Sequence, residues 1–298
     1  MEAYSHQKRS RRASKGMLFV GLLILFAMLF TACGSNTTTG SGSTPTANPA
    51  TPTIAPPSGL IAPGTLTVGS DTTYPPLEYI NTATNQATGF DIDLITAIAQ
   101  RMGLQTKVVT TSFDTIINSL VAKRFDVVIS DVSVTPERQK KVDFVPYLNV
   151  GESLSVKAGN PLNIKSTADL CGQKVGVQNG TIEQTDLNTA SDACKKAGKP
   201  AIEITALTNQ TDVIQLLATS RVVATYQDSP VTDYYNKQHA GQFTVGGSVV
   251  NAGLIGIVVR KGDSSMFNAI QTAYNQLKAN GTYNSLIQKW GLMNEAIT

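Results

Sequence analysis

Short β-branched runs alternate with helix-spaced apolar stretches along most of the chain. Leu66 to Ser70 reads as a strand, and Gly89 to Met102 sets Leu94, Ile95, Ile98 and Ala99 at helical spacing before Gly103 stops the helix. Val108-Val109 predicts a second strand, Phe113 to Ala122 a second helix, and Val127 to Ile129 a third strand. A second block begins near Ser153. Leu154-Ser155-Val156, Lys174 to Val177, Ile202 to Ile204 and Val222 to Tyr226 read as strands, with a polar turn at Gln178 to Thr181 leading into a helix and another apolar helix at Asp212 to Ala218. Leu254 to Val259 returns as a long apolar strand before terminal helices at Phe267 to Lys278 and Tyr283 to Trp290. Such alternation predicts an α/β fold with largely parallel sheets and helices on both faces. The order of the blocks predicts two similar lobes, the second (150–250) inserted into the first (64–149 and 251–298).

The ends of the pattern carry a different message. Lys8, Arg9, Arg11, Arg12 and Lys15 precede an uncharged apolar run, Met17 to Phe30, shorter than the ~20 residues of a comfortable membrane span. The run closes on Leu29-Phe30-Thr31-Ala32-Cys33-Gly34, which resembles the lipobox of bacterial lipoproteins, with Phe30 departing from the usual aliphatic. Residues 1–33 are therefore expected to be an export signal ending at an acylated Cys33; a plain transmembrane anchor with a chance cysteine is the alternative. Residues 34–63, dominated by Ser, Thr, Gly, Pro, Asn and Ala, have little to bury and are expected to form a disordered tether. The protein would then stand on the outer face of the cell membrane.

Removing the signal reverses the charge. The full chain is +3, but five of its 24 Lys/Arg and one of its 21 Asp/Glu precede Cys33, leaving 19 against 20 and a net of −1. The basic balance belongs to the signal, so no nucleic-acid partner is inferred. Cys171 and Cys194 are the only thiols beyond Cys33, and in an oxidising compartment they suggest one disulfide. His6 lies in the signal and His239 in a polar stretch, so no metal site or cofactor is expected.

The chemistry concentrates between Asp126 and Phe144. After the strand at Val127 to Ile129 come Ser130, Asp131, Ser133 and Thr135, and then Pro136, whose fixed φ suits the first turn of a helix. Glu137 fits that N-terminus, and Arg138 follows it. Hydroxyls, free amides and one guanidinium at a strand's carboxyl end suit a ligand carboxylate; an ordinary β-α junction with a surface arginine reads equally well. Asp71, Tyr74 and Ser130 to Arg138 all fall beyond strand carboxyl ends, where ligands of such sheets bind. No nucleophile–base pair has a sequence signature.

Several motifs resemble the amino-acid-binding proteins of bacterial ABC importers, extracellular solute-binding proteins of family 3. They are Gly69 to Tyr79, Gly89 to Leu94, Phe113 to Ile117, Asp126 to Phe144, Gly176 to Thr181 and Asn280 to Tyr283, in the family's order from about Gly64 to Leu292. The resemblance implies a two-lobed periplasmic-binding-protein fold of type II, acting as a monomer that closes on a free amino acid and delivers it to membrane permease subunits. It implies that Arg138, with Ser133, holds the α-carboxylate, and that Asp228 takes the α-ammonium. Asp71 would stand at the side-chain end. Tyr74 and Phe113 would sandwich the aliphatic stem, and Gln178 and Thr181 would close over it. Asp131 departs from the usual Gly or Ser and either adds a carboxylate to the pocket or turns outward to cap a helix. Ile182 departs from a small or hydroxyl residue. The same fold resembles certain periplasmic dehydratases (cyclohexadienyl dehydratase-like) that act on a small organic acid. A sensor domain is the third reading, and would need a membrane-spanning and signalling segment after Thr298.

Overall fold

The structure, a computed structural model, describes residues 54–297; the expected export signal, with Cys33, lies outside the described residues. The predicted runs become Thr65–Ser70 (β1), Phe90–Arg101 (α1), Gln105–Thr110 (β5), a 3-10 turn at Phe113–Thr115 leading into Ile116–Val121 (α2), and Val127–Val128 (β6). Between β1 and α1 lies a small antiparallel sheet of Thr73–Tyr74 (β2), Glu78–Asn81 (β3) and Gln86–Thr88 (β4). Strands of two to four residues are too short for a period to register.

The remaining elements are Pro136–Gln139 (α3), Val142–Lys157 (β7), Lys174–Gln178 (β8), Ile182–Lys196 (α4), Glu203–Leu207 (β9), Gln210–Ala218 (α5), Ala224–Asp228 (β10), Ser229–Gln238 (α6), Phe243–Arg260 (β11), Ser264–Ala279 (α7) and Thr282–Trp290 (α8). One sheet runs β5-β1-β6-β11-β7-β10-β8-β9. β1 lies parallel to β5 and β6, and β8 parallel to β9 and β10, so each lobe has the expected parallel core. The two cores are joined by β7 and β11, which pair antiparallel from Arg260–Val142 to Phe243–Lys157 through three register shifts.

That junction corrects the sequence reading, which took only Leu154 to Val156 and Leu254 to Val259 as strands. Both strands leave one lobe and enter the other. At the crossing β11 loses its buried face: residues 247–254 are exposed while 255–259 are buried. Without a hydrophobic side there is no pattern to read.

Leu66, Phe90, Ile95, Tyr147, Tyr274 and Tyr283 belong to one buried cluster, and Val175, Val177, Leu187 and Tyr226 to a second in the other lobe. Residues 54–63 depart from the expected disordered tether. From Ile54 onward the chain is held on the first lobe: Ile54 N donates to Arg101 O at 3.2 Å and Ile61 N to Asp126 Oδ1 at 3.0 Å, while Ile54 and Leu60 pack on the core. Two aliphatic side chains and a buried acceptor offset the ordering cost that composition alone left uncompensated.

Cys171 and Cys194 form a disulfide with Cα atoms 5.6 Å apart, tying α4 to the loop before β8. It closes a sequence separation of 23 residues, and the chain-entropy model assigns such a loop ~3 kcal/mol. Denaturant unfolding of Cys171→Ser/Cys194→Ser should give a correspondingly lower unfolding free energy; an unchanged midpoint would contradict this.

Candidate ligand-binding site

Arg138 is positioned by a single helical turn. Thr135 stands in extended conformation at the N-cap, its Oγ1 accepts from Arg138 N at 3.2 Å, and Pro136 opens the turn. The guanidinium folds back, Nη1 donating to Ser133 O at 3.0 Å, and lies 5.4 Å from the centre of the Phe113 ring. Its Nη2 donates across the lobes to Gly180 O at 3.3 Å. Among the described residues no carboxylate forms an ion pair with it.

Gly180 makes that approach possible. Its φ is +82°, and a Cβ there would sit 2.7 Å from Asp114 Cα of the opposite lobe. Next to it Thr181 caps α4, accepting from Gln184 N at 3.2 Å and donating to Gln178 O at 2.9 Å. Gln178 bridges the cleft, Nε2 donating to Asp71 Oδ2 at 2.6 Å and to Thr208 O at 3.0 Å. Asp228 ends β10 at the N-cap position of α6; Tyr74 Oη donates to its Oδ2 at 2.9 Å and accepts from its N–H at 3.2 Å.

All ten residues singled out for ligand contact, Asp71, Tyr74, Phe113, Ser130, Asp131, Ser133, Arg138, Gln178, Thr181 and Asp228, line one cleft. Several are also held by one another. Tyr74 meets Asp228 through its hydroxyl, and the Phe113 ring carries Arg138. Ser130 Oγ accepts from Asp71 N at 2.8 Å and donates to Glu78 Oε1 at 2.9 Å. Asp131 turns inward; Thr135, not Asp131, caps the following helix. Ile182 also lines the cleft, an apolar surface where a hydroxyl would have offered a donor.

Two further lining residues, Glu78 and Glu183, escaped the sequence reading. Glu183 follows the turn motif by two residues, in the first turn of α4, and is buried in the fold.

The cleft is therefore acidic. Asp71, Glu78, Asp131, Glu183 and Asp228 all line it and are buried, and Arg138 is its cation. Burial raises all five carboxyls, Asp71 less freely because Thr73, Phe113 and Gln178 hydrogen-bond it. Burial also lowers Arg138, opposed by Glu183 and Asp228. Beneath the cleft Asp91 is pushed up to about 7 by burial, although Tyr147 Oη donates to it at 2.7 Å. Among the described residues no group of His, Cys, Asp and Glu is arranged to hold a metal, and no helix is long and apolar enough to cross a membrane.

Two lobes sharing a sheet through two crossing strands, with an acid and an unpaired arginine facing each other across the cleft, define a solute-binding protein. Residues 66–293 match the family of bacterial extracellular solute-binding proteins, family 3, and the chain belongs to it. The chain is 31% identical over 232 residues to the histidine-binding periplasmic protein of Salmonella typhimurium, covering 76% of this chain and 86% of that protein. It is 30% identical over 228 residues to the L-cystine-binding protein TcyJ of Escherichia coli, with 76% and 82% covered. An ancestral arginine-binding protein bound to arginine superposes with a TM-score of 0.71 at 36% identity, covering 76% of this chain and 98% of that one.

Proposed function

We propose that the protein captures a free amino acid with a positively charged side chain between its lobes and delivers it to the permease subunits of an ABC importer. In this reading residues 64–149 and 251–298 form one lobe and 150–250 the other. The monomer is held at the outer face of the membrane through acylated Cys33. The observation that carries it is the opposition of Arg138 and Asp228 in a cleft otherwise rich in acid. A zwitterion losing its hydration needs a charge-assisted partner at each end. Arg138, free of any carboxylate partner, suits the α-carboxylate, and Asp228 the α-ammonium. The excess of carboxyls over cations suits a ligand with a further positive charge, taken at Asp71 and Gln178.

β7 and β11 are the two connections between lobes, and hinges of this kind need only a few residues to absorb the φ/ψ change. Solution scattering should record a smaller radius of gyration when the protein is saturated with L-arginine, L-lysine or L-histidine. An unchanged radius with a bound amino acid would contradict lobe closure.

A second reading is favoured by Glu183. A buried carboxyl raised well above the usual carboxylate range by desolvation is what a general acid needs, and a dehydratase acting on a small organic acid would use one. Binding is favoured over it because Arg138 and Asp228 together fit a zwitterion better than a dicarboxylate. Steady turnover of a prephenate-like acid would decide for the enzyme.

A further inference from the structure

The clamp of Arg138 and Asp228 leaves Asp131 without a task. Its side chain is buried, with 3% exposure; among the described residues no N–H or hydroxyl donates to either carboxylate oxygen, and the carboxyl meets only that of Asp228, within hydrogen-bonding reach. Its backbone is fixed: the N–H donates to Asp91 Oδ2 at 3.1 Å and φ is +47°, a left-handed conformation that Asp and Asn tolerate better than most residues. Neither that conformation nor the helix cap beyond it requires a carboxylate. A buried carboxyl that receives no such donor is costly, and a bound cation relieves that cost.

The remaining acids sharpen the point. One Asp228 oxygen already accepts from Tyr74, whereas an ammonium has three donors to place. Glu183 is 2% exposed and its Oε1 is also unpartnered. We propose that Asp131 is a second acceptor for the ligand's α-ammonium, forming with Asp228 a two-carboxylate seat whose second negative charge, unmatched by Arg138, is balanced only by an amino acid of net positive charge. This rests on the clamp assigned to Arg138 and Asp228 and adds a specificity-determining residue to it.

The seat carries a pH consequence. Asp131 faces Asp91 and Tyr147 below it, with Tyr74 and Glu78 among the groups beside the cleft. Asp228 and Glu183 oppose it from the second lobe, and Glu295 acts from the C-terminal segment. Adjacent buried carboxyls do not all ionise in an empty cleft, and their protons titrate as a set. Seating a cation ionises them, so binding releases protons and weakens as pH falls.

The test is calorimetric titration of L-arginine, L-lysine, L-ornithine, L-histidine and neutral L-glutamine into wild type, Asp131→Asn and Asp131→Ser. Measurements at pH 7.5 and 5.0, in buffers of different ionisation enthalpy, count the protons. The expected result is at least a tenfold loss for the basic amino acid that wild type binds, and a smaller preference over L-glutamine. Fewer protons should be released, and the fall in affinity from pH 7.5 to 5.0 should be shallower. Asp131→Asn retains the backbone tolerance of Asp, and an unchanged circular-dichroism spectrum identifies a folded variant. Affinity within threefold of wild type, with unchanged preference and proton release, would overturn the seat. Absence of any amino-acid binding by wild type would overturn the clamp and the seat together, so the two failures are separable.

Discussion

Arg138→Ala is expected to weaken amino-acid binding by roughly 30-fold or more. Arg138 belongs to the lobe built on β1 and β6, and Asp228 to the lobe built on β8 and β10. A zwitterion held by both bridges the lobes and favours the closed form only while each charge is met. Removing one partner of a desolvated charge pair costs ~2–5 kcal/mol, and each ~1.4 kcal/mol is tenfold in affinity. The alanine also removes the bonds to Ser133 O and Gly180 O and the contact with Phe113, so part of the loss comes from a less ordered cleft. Asp228→Asn keeps the size of the side chain and the Tyr74 contact and should lose nearly as much, whichever amino acid is bound. The double variant should lose less than the sum, because both sites act on one ligand. Calorimetry giving Arg138→Ala within threefold of wild type would remove the central residue from the account.

The ligand-free protein should become less stable as pH rises from about 4 to 7. Asp91 is raised to about 7 by burial, and burial likewise raises Glu78, Asp131, Glu183 and Asp228. A carboxyl with a raised folded value binds more protons folded than unfolded, so its stabilisation is complete below the unfolded value near ~3.9 and lost as pH passes the folded one. Asp91 and Glu78 interact and titrate together, so the loss belongs to the pair and is on the order of a few kcal/mol. Carboxyls such as Asp143 and Asp169, lowered chiefly by hydrogen bonds from Lys261 and from the backbone of Lys165, act in the opposite sense. Their stabilisation is lost only as pH falls below the usual carboxyl range, outside this window. Thermal unfolding of the ligand-free protein should therefore give a higher Tm at pH 5 than at pH 8; a flat or rising Tm would show that the cleft acids ionise freely. A saturating basic amino acid, by favouring the ionised forms, should reduce the difference.

Local pattern and distant contact divide what was legible in the chain. The cores of both lobes were readable because Leu94, Ile95 and Ile98, or Val127 to Ile129, report their element through spacing within a few residues. The ten positions singled out through motif order all line one cleft. The pairings inside the cleft were not readable. Asp71 meets Gln178 across 107 residues and Tyr74 meets Asp228 across 154, and no local signal encodes either. Helix α6 was missed although Asp228-Ser229-Pro230 has the form of a helix start, because the same residues also read as a turn. Glu183 was missed because an acid in the first turn of a helix is ordinary, and nothing in the local sequence reports that this one is buried.

The most direct test of the central claim is a thermal-shift panel of the ligand-free protein against each of the twenty amino acids at neutral pH, followed by calorimetry on those that respond. A specific ligand at ~100 times its Kd should add ~2.7 kcal/mol of stability. The largest shifts should come from amino acids with cationic side chains, L-glutamate should give none, and the shift should disappear in Arg138→Ala. A panel with no responding amino acid, or one led by L-glutamate or L-aspartate, would contradict the claim.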